Sequence, residues 1–133
     1  MIRAIVMLGL AGALALFAGA ADSEAAPNEM IVIRYSQFEP AFIEVPAGVP
    51  VRITLVNEDP IEHEWIVGPP EVHAIHRVGT EPYHDERPTE VTIPPLSTRV
   101  TTLTFAKPGQ QNFICHLAEH EAYGMSGLVR VTQ

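Results

Sequence analysis

From residue 30 onward the chain is divided, at nearly regular intervals, into short stretches in which apolar and polar side chains alternate. Residues 30–35 (MIVIRY), 41–48 (AFIEVPAG), 51–57 (VRITLVN) and 63–67 (HEWIV) come first. Residues 90–94 (EVTIP), 99–105 (RVTTLTF), 111–115 (QNFIC) and 126–131 (SGLVRV) follow. A period of two belongs to a strand with one face buried. With Pro and Gly between them, as in VPAGVP and KPGQ, these stretches predict about eight strands in a two-sheet antiparallel β-sandwich. No persuasive helix is present apart from one turn near 118–122. Residues 68–90 do not fit the pattern: they hold four prolines, three histidines and no clear period. They read as a long loop or flap between the two halves, and loops of that length are often functional.

The N-terminal stretch has a different character. One arginine, Arg3, precedes an apolar run from Ala4 to about Ala18, followed by small residues. The run is shorter than the roughly 20 residues a membrane span needs. It is expected to be a secretory signal over residues 1–20, with residue 26 as the latest expected cleavage point, ahead of one domain over 27–133. The expected location is therefore periplasmic or secreted. The formal charge is −8, and cleavage after Ala20 removes Arg3 and no acid, leaving −9. Such a surface disfavours nucleic acid and suits a partner with a basic patch.

Export makes the single cysteine, Cys115, conspicuous. In an oxidising compartment thiols usually pair, and this one has no partner in the chain. The segment FICHLAEHEAYGM places His120 five residues after Cys115 and Met125 five beyond that. By strand parity Phe113 and Cys115 share a face, and Cys115 sits where the chain leaves the sheet. Gly124 and Gly127 flank Met125 and let the loop turn back into the last strand. One loop thus aims a thiolate, an imidazole and a thioether at one point. A fourth donor from elsewhere would tie it down, and His63 at the start of HEWIV is the best candidate. Trp65 and Val67, on the same face, would fill the core and leave His63 at its rim. Asn57 ends the preceding strand and is placed to brace the connecting loop. Two imidazoles and a thiolate near one plane, with a weak axial thioether, are the ligand set of electron-transfer copper.

At these residues the chain resembles the type 1 (blue) copper proteins of the cupredoxin family, the group of plastocyanin, azurin and rusticyanin. NFICHLAEHEAYGMSGLVRV is similar to the family's C-terminal copper loop, and VPAGVPVRITLVNEDPIEHEW to the approach to its first histidine. The resemblance implies a Greek-key β-sandwich with one copper per chain. It implies His63, Cys115 and His120 as equatorial ligands, Met125 as axial ligand, and single-electron shuttling between redox partners rather than enzymatic turnover. A cytochrome c or copper oxidoreductase with a basic patch is the implied partner. One departure stands out: plastocyanin and azurin follow the first histidine with asparagine, whereas here it is Glu64.

Two alternatives are a copper carrier or buffer, and a nitrosocyanin-like protein with an open site and a carboxylate ligand from Glu62 or Glu64. Carriers of Cu(I) are often Met-rich, and only Met30 and Met125 lie beyond the signal. His116 gives the loop a likeness to multicopper oxidases, but Ile114 and the lack of a His-x-His pair argue against one. His116 is expected on the solvent side. His73, His76, His84 and Asp85 read as a polar flap, since histidines at i,i+3 converge on a metal only in a helix.

Overall fold

The computed structural model describes residues 26–79 and 87–133. The expected signal over residues 1–20 lies outside the described residues, as do His84 and Asp85. Among the described residues nine strands and one helix are found: β1 (Asn28–Arg34), β2 (Gln37–Glu39), β3 (Phe42–Pro46), β4 (Pro50–Asn57), β5 (His63–Gly68), α1 (Pro70–Val78), β6 (Glu90–Ile93), β7 (Thr98–Thr104), β8 (Gly109–Ile114) and β9 (Ser126–Thr132). Among the described residues no helix is long and apolar enough to cross a membrane.

All eight strands read from the alternation are present. Their inward rows make the core: Ile31 and Ile33 from β1, Val51, Ile53 and Leu55 from β4, Trp65 and Val67 from β5, Val129 and Val131 from β9. Phe113 of β8 lies at the centre, edge-on to Phe38 at 5.1 Å between ring centroids and 6.0 Å from Trp65. Asn57 continues the inward row of β4 and is therefore buried with it.

One sheet has the order β2-β1-β4-β7 and the other β3-β9-β8-β5-β6. The expectation of purely antiparallel sheets needs correction. β1 pairs parallel with β4, in register Ile31↔Leu55, and β3 pairs parallel with β9, in register Ile43↔Val129. The chain changes sheets between β2 and β3 and again between β3 and β4, so strands close in sequence lie in opposite layers. Each crossing of the sandwich supplies the long connection that a parallel pair requires.

The flap expected over 68–90 is also corrected in part, because its first half is α1. Pro70 occupies the first turn, where its missing N–H costs nothing, and Glu71 offsets the positive end of the helix dipole. The buried side chains of this helix are His73 and His76, so its inward face carries no apolar stripe for the sequence to show. It packs on β5 and β8, whose outward Ile66 and Ile114 are also buried.

Gly127 plays a different part from the expected one. It is needed for space rather than to turn the chain. A Cβ there would collide with the edge of the Phe113 ring and stand 2.7 Å from the Ala41 carbonyl oxygen. Neither neighbour can give way, since Phe113 is the centre of the core. Gly127→Ala is expected to destabilise the fold by about 3 kcal/mol. Urea unfolding of the metal-free protein measures it, and a loss below ~1 kcal/mol would show that the core yields at this point.

Candidate metal centre

The donors come from two loops at one end of the sandwich. His63 opens β5, Cys115 directly follows β8, and His120 and Met125 lie in the turns leading to β9. Those turns are bonded to themselves: His120 N–H donates to the Leu117 carbonyl (3.0 Å) and Met125 N–H to the His120 carbonyl (3.0 Å). Cys115 N–H donates to the Met125 carbonyl at 3.2 Å, which joins the two ends of the loop.

His63, Cys115 and His120 bring Nδ1, Sγ and Nδ1 within 4.8 Å of one another. His63 Nδ1 lies 3.3 Å from His120 Nδ1, and Cys115 Sγ lies 3.2 Å from the same nitrogen. Donors about 2.0–2.3 Å from a shared ion stand roughly 3.3–3.8 Å apart, so the spacing is that of ligands around one metal. Among the described residues this is the one group of three His, Cys, Asp or Glu side chains so placed, and no carboxylate oxygen joins it. Met125 is fully buried in the same core cluster. His63 is at the end of its inward row, as expected, but completely buried rather than at an exposed rim.

A carboxylate that sequence reasoning passed over orients His63. Asp59 Oδ2 accepts from His63 Nε2 at 3.0 Å. Asp59 also accepts the backbone N–H groups of Tyr35 and Ser36, both at 2.8 Å. Burial pushes its carboxyl pKa up, but the N–H groups of Ser36, Tyr35 and His63 outweigh that and hold it below the usual value. An ionised carboxylate only accepts, so Nε2 of His63 carries the proton and Nδ1 presents its lone pair to the cluster. Desolvation, with the charge of His120 in support, lowers the His63 pKa against the pull of Asp59 and favours the neutral ring that a metal needs. The sequence clue is the i,i+4 spacing of Asp59 and His63 in EDPIEH.

Asn57 braces the loop, as expected. Its Nδ2 lies 2.7 Å from the Ile61 carbonyl and 2.9 Å from that of Pro94, and its Oδ1 accepts Asp59 N–H at 2.9 Å. Glu64 retains one bracing contact through its backbone, N–H to Cys115 Sγ at 3.3 Å. Desolvation raises the Cys115 pKa to about 11, against the N–H groups of Glu64 and Leu117. The metal-free site therefore holds a thiol at neutral pH, and metal binding must displace its proton.

His116 is not on the solvent side. Its side chain is 4% exposed and lies under α1, with Nε2 2.9 Å from His73 Nδ1. Strand parity does turn it away from Cys115, but the helix covers the face it turns to. Desolvation lowers its pKa to about 4, with His73 adding to the effect. Of the outward acids, Glu121 is engaged by Arg77 in a two-pronged pair, with Nε at 2.9 Å and Nη2 at 2.6 Å.

The sequence matches the cupredoxin-like domain family over residues 5–126. Among solved structures, auracyanin B is similar at 20% identity and a TM-score of 0.68, covering 83% of this chain and 92% of that one. Dithionite-reduced auracyanin from the photosynthetic bacterium Roseiflexus castenholzii matches at 21% identity and TM-score 0.68, covering 82% and 99%. Auracyanin A, a blue copper protein of Chloroflexus aurantiacus, matches at 21% identity and TM-score 0.62, covering 79% and 98%. At these identities the likeness is one of fold. No curated protein matches the sequence.

The Asp59 cluster makes a direct prediction. Asp59→Ala removes the acceptor of three N–H groups at once. It is expected to cost the metal-free protein about 3 kcal/mol in denaturant unfolding, and Asp59→Asn, which keeps one acceptor oxygen, distinctly less. Equal losses in the two variants would mean that the carboxylate does not hold this end of the fold.

Proposed function

The chain belongs to the cupredoxin-like family, and from that premise we propose that it is an extracytoplasmic type 1 copper protein carrying single electrons between redox partners. The observation that carries this reading is the convergence of His63, Cys115 and His120. Two imidazoles and a thiolate, with Met125 buried in the core cluster that includes Cys115, form a donor set consistent with one type 1 copper per chain. His63, Cys115, His120 and Met125 would hold the ion. Copper bound there would supply a Cu(II)/Cu(I) couple that takes up or gives one electron.

The protein's own groups would make that change inexpensive. Asp59 fixes the tautomer of His63, and the two loops are pinned by Asn57 and by the Cys115–Met125 backbone bond. The Glu64 N–H aimed at Sγ draws charge from the thiolate. Complete burial of His63, Cys115 and Met125 keeps water off the donors. His120 is the one partly exposed member of the set, and its imidazole edge is the proposed way in and out.

The loops at this end of the sandwich expose Tyr35, Ile61, Leu96 and Tyr123, the last two at 71% and 69%. Tyr35, Leu96 and Ile61 are tied to the site by Tyr35 N–H to Asp59, Leu96 N–H to the Asp59 carbonyl and Asn57 to the Ile61 carbonyl. An apolar rim of this kind suits a small, transient encounter. The acidic surface would steer a basic partner, of cytochrome c or copper oxidoreductase type, in a salt-dependent way. Names such as auracyanin A, a blue copper protein, support the same reading. The nitrosocyanin-like alternative needs a carboxylate at the metal, and none joins the convergent group. On this reading the secretory signal over residues 1–20 delivers the domain over 27–133 to the periplasm or exterior, and the protein transforms no substrate.

Purified protein given one equivalent of Cu(II) is expected to turn intensely blue, and Cys115→Ser to remain colourless; a red or colourless wild-type protein overturns the proposal. Met125→Leu is expected to stay blue but show a raised reduction potential in voltammetry, because an axial donor favouring the oxidised ion is withdrawn. An unchanged potential removes Met125 from the ligand set.

A further inference from the structure

The copper reading leaves one buried cluster unused: His73 and His76 on α1, against His116. His73 Nε2 lies 3.1 Å from the Asn112 carbonyl oxygen, which only accepts, so this nitrogen carries the proton. With Nε2 protonated, the neutral ring leaves a lone pair on Nδ1, and His116 Nε2, 2.9 Å away, is placed to donate to it; burial lowers the His73 pKa and favours that neutral form. The ring of His73 therefore spans from residue 112 to residue 116, with Cys115 between. His76 closes the other side of His116, stacked at 5.4 Å and 27° and itself held by Nδ1–H donated to the Val72 carbonyl (2.8 Å). One turn further, Arg77 grips Glu121, the neighbour of His120.

Gly68 eases the approach: a Cβ there would stand 3.0 Å from the Val72 side chain, tighter than ordinary contact, so the first turn of α1 would have to give by a few tenths of an ångström. Gly68 pairs with Asn112 in the sheet, which puts the contact directly behind the segment leading to Cys115.

Resting on the copper reading above, we propose that α1 is an outer clamp on the metal loop and that His73 is its positioning residue, fixing the chain on both sides of the Cys115 sulfur. The two grips are unequal. His73–His116 is buried and directional, and leaving either nitrogen without its partner is costly. Arg77–Glu121 is exposed, with side chains 48% and 33% accessible, and contributes little. The clamp acts where a metal site is most sensitive, since a small displacement of one donor alters the ligand field of the bound ion.

The test compares His73→Leu, His73→Gln and Arg77→Ala. In the metal-free protein, His73→Leu is expected to speed amide exchange at residues 112–116 about tenfold relative to β1 and β4. In the copper-loaded protein it is expected to shift the thiolate absorption band and the copper hyperfine splitting. His73→Gln, which carries both a donor and an acceptor, restores both readouts, and Arg77→Ala leaves both unchanged. A His73→Leu protein that merely melts earlier, with exchange and spectrum as in the wild type, overturns the proposal by reducing His73 to packing. Should His73→Leu fail to fold, ring-nitrogen NMR of the wild-type protein decides: a proton on His116 Nε2 supports the clamp and a proton on Nδ1 overturns it. If the wild type takes up no copper, the copper reading fails separately, and faster exchange around Cys115 in the metal-free variant still supports the clamp.

Discussion

One carboxylate organises the end of the molecule that carries the metal donors. Asp59 is nearly buried, and a buried negative charge is tolerated only when enough donors surround it. Here they come from two separate places: the backbone of Tyr35 and Ser36 in the turn between β1 and β2, and the ring of His63 opening β5. The same contact thus holds a turn, a loop and a candidate ligand. It also accounts for a local oddity. Tyr35 and Ser36 both have φ of 53°, a region that costs non-glycine residues roughly 1 kcal/mol each, and the two N–H groups they turn inward are the ones the carboxylate collects.

The sheet containing β5 and β8 separates two environments. Inward positions on these strands supply His63, Trp65, Phe113 and, just past the end, Cys115; outward positions supply Ile66, Gly68, Ile114 and His116. Consecutive residues therefore serve opposite sides. Cys115 belongs to the metal compartment and His116 to the helix, and the peptide link between them couples the two. Where α1 covers the outward Ile66 and Ile114, β5 and β8 are packed on both sides and have little room to shift.

Most of the fold was legible because period-two alternation is strong where one face is buried. The approach of Cys115 and His120 to one another was legible because they lie close together in sequence. What was missed shares a physical cause: stabilisation by a partner far away along the chain. β2 is three residues long, and its turn lacks glycine because Asp59, more than twenty positions on, satisfies it. α1 was hidden because histidines fill the places where a 3.6-residue apolar stripe would appear. His116 was assigned to solvent because strand parity gives direction, while only the tertiary fold shows that a helix covers that direction. Asp59 sat in plain view four residues before His63, yet nothing local marks a carboxylate whose other partners belong to β1 and β2.

The position of β9 bears on how such a protein comes to be assembled. It is not a border strand: it lies between β3 and β8, parallel to the first and antiparallel to the second. Until it arrives, β3 has no neighbour in its own sheet and the loop bearing Cys115, His120 and Met125 has only one anchored end. Pairings that reach across almost the entire domain form late and slowly. A partly emerged chain therefore does not yet hold His63, Cys115 and His120 at the spacing they have in the complete fold.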